Sequence, residues 1–117
     1  MKTLVAILFA FAACSRSSDF EPVTGGDPSA GKDTIRAYGC AACHDIPGVD
    51  APGGRVGPPL RGFAKRAYIG GELPNTPENL ERWVRDPHKV EMHTAMPTLG
   101  LTPKEARDVA AYLYTLD

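Results

Sequence analysis

Cys40-Ala41-Ala42-Cys43-His44 is the stretch on which the fold turns. Two thiols three residues apart, followed at once by an imidazole, form the Cys-x-x-Cys-His pattern by which a c-type haem is attached. From the end of a short helix the thiols reach the two vinyl groups on one porphyrin edge, and His44 is left facing the iron as proximal ligand. Other uses of Cys-x-x-Cys need other surroundings. A thioredoxin-type redox pair needs a βαβ pattern, and a zinc site needs two more Cys or His at ligand spacing. Neither pattern flanks this motif.

A chain of 117 residues holds one domain. A domain that small buries a thin core unless something else fills it, and a porphyrin is a large apolar body. The formal net charge of -1 argues against a nucleic-acid binder, which is strongly basic. The charges are uneven. Asp19, Glu21, Asp27, Asp33, Asp45 and Asp50 crowd the first half, whereas Arg55, Arg61, Lys65, Arg66, Arg82, Arg85 and Lys89 fall in the second. An ordinary solvated surface and a docking patch both account for this.

Residues 1–13 read as an export signal, with Lys2 ahead of a short apolar run from Thr3 to Ala13. That run is too short to span a bilayer, which takes about 20 apolar residues. Phe11-Ala12-Ala13-Cys14 resembles a bacterial lipobox, which would place a lipid on Cys14 and anchor the protein to a membrane on the periplasmic side. A plain secretory signal cut after Ala12 is the rival. The lipoprotein reading is favoured because it accounts for an otherwise unpaired third cysteine in an exported protein. Residues 14–27, rich in Ser, Gly, Pro and acid, read as a flexible tether. Residues 28–117 form the folded domain.

Within that domain Asp27-Pro28 opens a first helix, with Asp as cap and Pro in the first turn. Gly31, Ile35 and Tyr38 share one face of it, and Gly39 ends it at the attachment motif. Thr76-Pro77 opens a second helix with Leu80, Trp83 and Val84 on its apolar face, and Asp86-Pro87 stops it. Thr102-Pro103-Lys104-Glu105 is a capping box for a third, which carries Ala106, Val109, Ala110, Leu113 and Leu116 at core spacing. Between the first two helices, residues 46–74 are dense in Gly and Pro. A loop of that length is uncommon in a compact domain unless it has a function, and wrapping a haem edge is sufficient reason. No run alternates long enough to claim a sheet. The expectation is an all-α fold, three main helices and long loops around one covalent haem c.

The candidates for the distal ligand are Met92, Met96, His88 and His93, with an open site as the remaining alternative. Met96 is preferred. It sits in the loop Ala95-Met96-Pro97-Thr98-Leu99, which offers little core for a methionine to fill, while His88 and His93 are flanked by charge.

Residues 28–117 resemble a class I cytochrome c, and most closely the haem domain fused to some bacterial cytochrome c oxidase subunits II. The resemblance rests on Cys40-x-x-Cys43-His44, Gly57-Pro58-Pro59-Leu60, Asn75-Thr76-Pro77-Glu78-Asn79-Leu80-x-x-Trp83, Asp86-Pro87, Met96-Pro97 and Tyr112-Leu113. It implies that Met96 is the axial thioether and that the Pro58 carbonyl accepts from the non-ligating nitrogen of His44. Leu60 would pack on the haem, Arg66 would lie near a propionate, and Trp83 would face the haem, although core packing explains Trp83 nearly as well. Gly31 and Tyr112 would make the crossing of the first and last helices. The lysine-rich rim of mitochondrial cytochrome c is thin here, and the copper motif and transmembrane hairpin of a true subunit II are missing.

The implied function is a periplasmic, monomeric one-electron carrier of a respiratory chain and not an enzyme. Its acceptor would be a terminal oxidase, its donor a quinol-oxidising complex or a periplasmic dehydrogenase. The alternative is a haem sensor or ligand-binding protein in which a small molecule displaces Met96.

Overall fold

The computed structural model describes residues 24–51 and 53–117; the signal, Cys14 and most of the proposed tether lie outside them. Helix α1 spans Pro28–Ala37. The Asp27 carboxylate accepts from the backbone N–H groups of Ser29 (2.8 Å) and Ala30 (3.3 Å), so two donors that the helix start leaves unpaired are satisfied. Gly39, at φ 72°, turns the chain out of α1. A single 3₁₀ turn, Cys40–Ala42, follows directly.

Helix α2 spans Pro77–Arg85, capped by the Thr76 hydroxyl, and α3 spans Pro103–Leu113. The capping box at α3 is complete: Thr102 Oγ1 accepts from Glu105 N (3.2 Å), and Glu105 Oε2 accepts from Thr102 N (2.8 Å). Those bonds from Thr102 hold the Glu105 carboxyl below the usual carboxylate range. α1 packs mainly on α3, and α2 packs on α3 from another side. Ile35, Leu80, Val84, Val109 and Leu113 meet in the core with Ile46, Phe63 and Ile69 from the long loop. Burying each such side chain contributes about 1.5–3 kcal/mol.

Helices α1 and α3 cross at Gly31. A Cβ there would run into the backbone of Asp108 and Val109, so the crossing is closed to larger residues. Tyr112, one turn further along α3, is buried but directs its hydroxyl to the Pro47 carbonyl (2.7 Å), tying α3 to the loop after the attachment motif. Asp108 also bears on this crossing. Its spacing puts it on the polar side of α3, yet it is only 4% exposed. Oδ1 accepts from Asp27 N (2.9 Å) and Oδ2 from Lys104 Nζ (2.6 Å), which fastens the entry of α1 to α3. The Asp27 N–H, and then Lys104, hold the Asp108 carboxyl below the usual range.

Two features depart from the sequence reading. The segment 46–74 is not wholly irregular: β1 (Tyr68–Ile69) pairs antiparallel with β2 (Leu73–Pro74), Tyr68 opposite Pro74 and Ile69 opposite Leu73. Two residues per strand is too short for alternation to register. Leu116 is buried as expected, but past the end of α3; its carbonyl accepts from Ala64 N (3.0 Å). The C-terminus thus clamps the 3₁₀ turn Phe63–Lys65.

Candidate haem site

The walls of the site come from all three helices and both long loops. A cleft enclosing about 440 Å³ of empty space, part of it open to solvent, is lined by Cys40, His44, Leu60, Trp83 and Met96 over a floor of core side chains. A larger cleft of about 730 Å³ lies beside the attachment turn, against Arg36, Val49 and Asp50, but neither sulfur nor imidazole lines it. Donor chemistry, not size, picks out the first.

Cys40 and Cys43 begin and follow one 3₁₀ turn, and the N–H groups of both Cys43 (3.2 Å) and His44 (3.1 Å) bond to the Cys40 carbonyl. Both thiols are half-buried and unpaired with each other. Burial is the main force pushing the Cys40 thiol above its ordinary range, and the neighbouring Cys43 adds to it. The His44 ring is fixed through Nδ1, which donates to the Pro58 carbonyl at 2.7 Å. That makes Nδ1 the donor, so in the neutral ring Nε2 is the nitrogen with the free lone pair. Gly57 makes the approach possible. Its N–H bonds to Cys43 O (2.8 Å), and a Cβ on it would stand 2.6 Å from Nδ1 of His44.

The 57–66 segment is held from below. Arg66 donates to the Pro59 carbonyl and, at 3.5 Å, to that of Arg61, with its guanidinium 5.5 Å from the Phe63 ring centre. Here Arg66 braces the turn that carries Pro58 and Leu60. Asn75 does similar work from the inside: Nδ2 donates to the carbonyls of Phe63 (3.1 Å) and Arg66 (2.9 Å), and Oδ1 accepts from the Tyr114 hydroxyl (2.7 Å). Burial, then the Glu78 carboxylate, pushes the Tyr114 phenol up to about 12. Asn75 was legible only as part of a motif, and Tyr114 gave no sequence signal as its partner.

Met96 lines the same cleft and is half-buried, its N–H bonded to Thr94 Oγ1 (3.2 Å). Met92 is 70% exposed, and His88 and His93 are exposed as well. Trp83 lines the cleft and also packs on the core, with Gly70 of the β1–β2 turn lying against its ring. Of the eight residues singled out from sequence, five line the cleft directly. Pro58 and Arg66 act behind it, and Cys43 stands half-buried at the end of the attachment turn.

A cleft with apolar walls, one imidazole with a free nitrogen, one thioether and an adjacent pair of thiols fits a haem. It has no carboxylate on its lining to suit a hard cation. Among the described residues no cluster of three or more His, Cys, Asp or Glu forms another metal site.

Comparison with known proteins agrees. The cytochrome c family model matches residues 28–117. The chain is 31% identical over 101 residues to cytochrome c oxidase subunit 2 of Alkalihalophilus pseudofirmus, an alignment covering 86% of this chain and 29% of that protein, so the chain spans under a third of that relative's length. Cytochrome cH from Methylobacterium extorquens superposes with a TM-score of 0.56 at 29% identity, over 77% of this chain and 99% of that one. Cytochrome c2 of Paracoccus denitrificans does so with a TM-score of 0.52 at 26% identity, over 77% and 95%. The chain belongs to the cytochrome c family, with the class I fold, and that membership implies one covalently attached haem c and a part in electron transfer.

Proposed function

We propose that this protein is a mono-haem one-electron carrier of an exported respiratory chain that donates to a terminal oxidase. The observation that carries the reading is the placing of His44 and Met96 on the walls of one apolar cleft beside Cys40. Cys40 and Cys43 would hold the haem through thioether bonds, His44 Nε2 and Met96 Sδ would ligate its iron, and Leu60 and Trp83 would pack against it. Bound there, haem c supplies a one-electron ferric/ferrous couple, and a thioether ligand raises its potential. The protein's part is to exclude water, fix the imidazole through Pro58 and keep the thioether in place. With an imidazole and a thioether both supplied by the protein, no coordination site would be left for a substrate, which suits a carrier and not a catalyst.

The oxidase as acceptor is supported by the likeness to a protein named cytochrome c oxidase subunit 2. A quinol-oxidising complex or a periplasmic dehydrogenase would supply the electrons. Among the described residues no helix is long and apolar enough to cross a membrane. A lipid on Cys14 would instead hold the domain close to a membrane partner on its tether, raising the local concentration without a new contact. The test is rapid mixing of the reduced haem domain with oxidase-containing membranes across a range of salt. Oxidation that slows as salt rises supports steered docking to the oxidase. Absence of oxidation at every salt, with the thioether still ligated, rejects the oxidase as acceptor.

A further inference from the structure

The segment from Met92 to Leu101 has no helix or strand to hold it. Its upstream half is closed mainly on itself: His93 N bonds to Glu91 Oε1 (2.8 Å), Thr94 N to Glu91 O (3.1 Å), and Met96 N to Thr94 Oγ1 (3.2 Å). Its downstream half reaches outward at Thr98. The Thr98 hydroxyl donates to Asp86 Oδ1 at 3.2 Å, and its oxygen lies 3.2 Å from Nδ1 of His88. A hydroxyl has one proton to give. With that proton on Asp86, the Nδ1–H of His88 is the donor to Thr98. Asp86 ends α2, and its other oxygen accepts from Lys89 Nζ at 3.0 Å. Thr98 is therefore bonded on both sides to the turn that follows α2, the helix whose Leu80, Trp83 and Val84 line the cleft.

Met96 is two residues from this double bond, and the residue between them is Pro97. Its ring fixes φ, so little backbone freedom separates the thioether from the point where the loop is fastened. Sequence alone gave no reason to couple Thr98 with His88, which reads there as a stray surface histidine.

We infer that Thr98 is a positioning residue for Met96: its hydroxyl, bonded between His88 and Asp86, fastens the loop to the end of α2 and sets how readily another ligand displaces the thioether. This rests on the reading of Met96 as the distal axial ligand.

The test uses the ferric holoprotein, titrated with imidazole while the methionine-to-ferric-iron charge-transfer band is followed. Thr98→Val keeps the shape and removes both hydrogen bonds. Each intramolecular hydrogen bond contributes a factor of roughly 2 to 10 to stability, and the two here are exposed and bear on ligand exchange only in part, so imidazole binds Thr98→Val roughly 2- to 10-fold more tightly than the parent. Thr98→Ser keeps the hydroxyl and the parent affinity. Thr98 is exposed, so neither change opens the core. Parent-like affinity in Thr98→Val, whatever its melting temperature, overturns the inference and leaves Met96 ligation standing. Equal tightening in Thr98→Val and Thr98→Ser also overturns it, since packing and not the hydroxyl would then matter. If Met96→Ala leaves both band and imidazole affinity unchanged, the ligand assignment itself falls, and the role of Thr98 with it.

Discussion

Gly57→Ala tests how the histidine side of the site is built. The added Cβ would stand 2.6 Å from Nδ1 and 2.8 Å from Nε2 of His44. Ordinary carbon contacts begin near 3.5 Å, so the ring has to retreat by about 1 Å. It cannot do so and keep its 2.7 Å bond to Pro58. Gly57 is not among the positive-φ glycines, so the alanine meets a contact and not backbone strain. Forcing one carbon into a packed site costs typically about 1–3 kcal/mol, and the lost hydrogen bond adds about 0.5–1.5 kcal/mol. The oxidation states feel the loss unequally. A hydrogen bond from Nδ1–H makes the imidazole more basic, which favours ferric iron, so losing it raises the potential. A difference of about 0.5–1 kcal/mol between the two states corresponds to about 20–40 mV for one electron. Urea unfolding of the holoprotein and a spectroelectrochemical titration read the two effects. Gly71→Ala is the control: its φ is 76° and nothing lies within 4 Å of a Cβ, so it pays backbone strain alone and leaves the potential unmoved. Parent-like unfolding and potential in Gly57→Ala would refute the claim that this glycine is required by the His44 ring.

Met96→Ala should abolish the charge-transfer band, lower the potential and admit carbon monoxide, while Met92→Ala leaves the spectrum unchanged; the reverse result in a ferric visible and near-infrared spectrum reassigns the ligand. Asp108→Ala should destabilise by about 2–3 kcal/mol in urea unfolding, because it strips a buried carboxylate from the Asp27 N–H and from Lys104. The sign of the acid dependence follows from the depressed Asp108 carboxyl: its contribution is full above the unfolded value of about 3.9 and is lost as pH falls through the lower folded value. Asp108→Asn should flatten that acid limb of a stability–pH curve, and an unchanged limb places the acid lability elsewhere. Cys14→Ser should move the native protein from the membrane to the soluble fraction without altering the haem spectrum; a protein that stays with the membrane is held by something other than a lipid on Cys14.

How much of this was legible in the sequence follows from how local each determinant is. The helix starts were readable because Asp27-Pro28, Thr76-Pro77 and Thr102-Pro103-Lys104-Glu105 carry their caps within four residues. Haem attachment was readable for the same reason, since two thiols and an imidazole lie in one five-residue run. The illegible features are those whose partners are far apart in the chain. Asp108 looks like one more polar residue on α3 until Asp27, 81 positions away, arrives beside it. Asn75 and Tyr114 are separated by 39 positions, and neither signals a bond to the other. Arg66 was expected near a propionate; the contacts it makes here are with the backbone of its own turn and with Phe63, interactions that depend on a fold that composition does not describe.

The same distinction bears on why long loops can serve an electron carrier at all. Such a carrier works best when its ligands move little between oxidation states, and loops are ordinarily the mobile parts of a domain. Here each loop is tied down beyond its own residues. The 57–66 turn is held by Arg66, by Asn75 reaching Phe63 and Arg66, and by the C-terminal Leu116 carbonyl on Ala64. The 46–49 loop is held by Tyr112, and the methionine loop by Thr98 on Asp86 and His88. Three short capped helices supply the frame and much of the core. The hydrogen bonds that cross from helix to loop are what let Gly- and Pro-rich chain present an imidazole and a thioether on the walls of a single cleft. It follows that substitutions at Asn75 or Thr98 should disturb the site before they unfold the protein, whereas substitutions at Ile69 or Ala110, buried away from the cleft, should do the reverse.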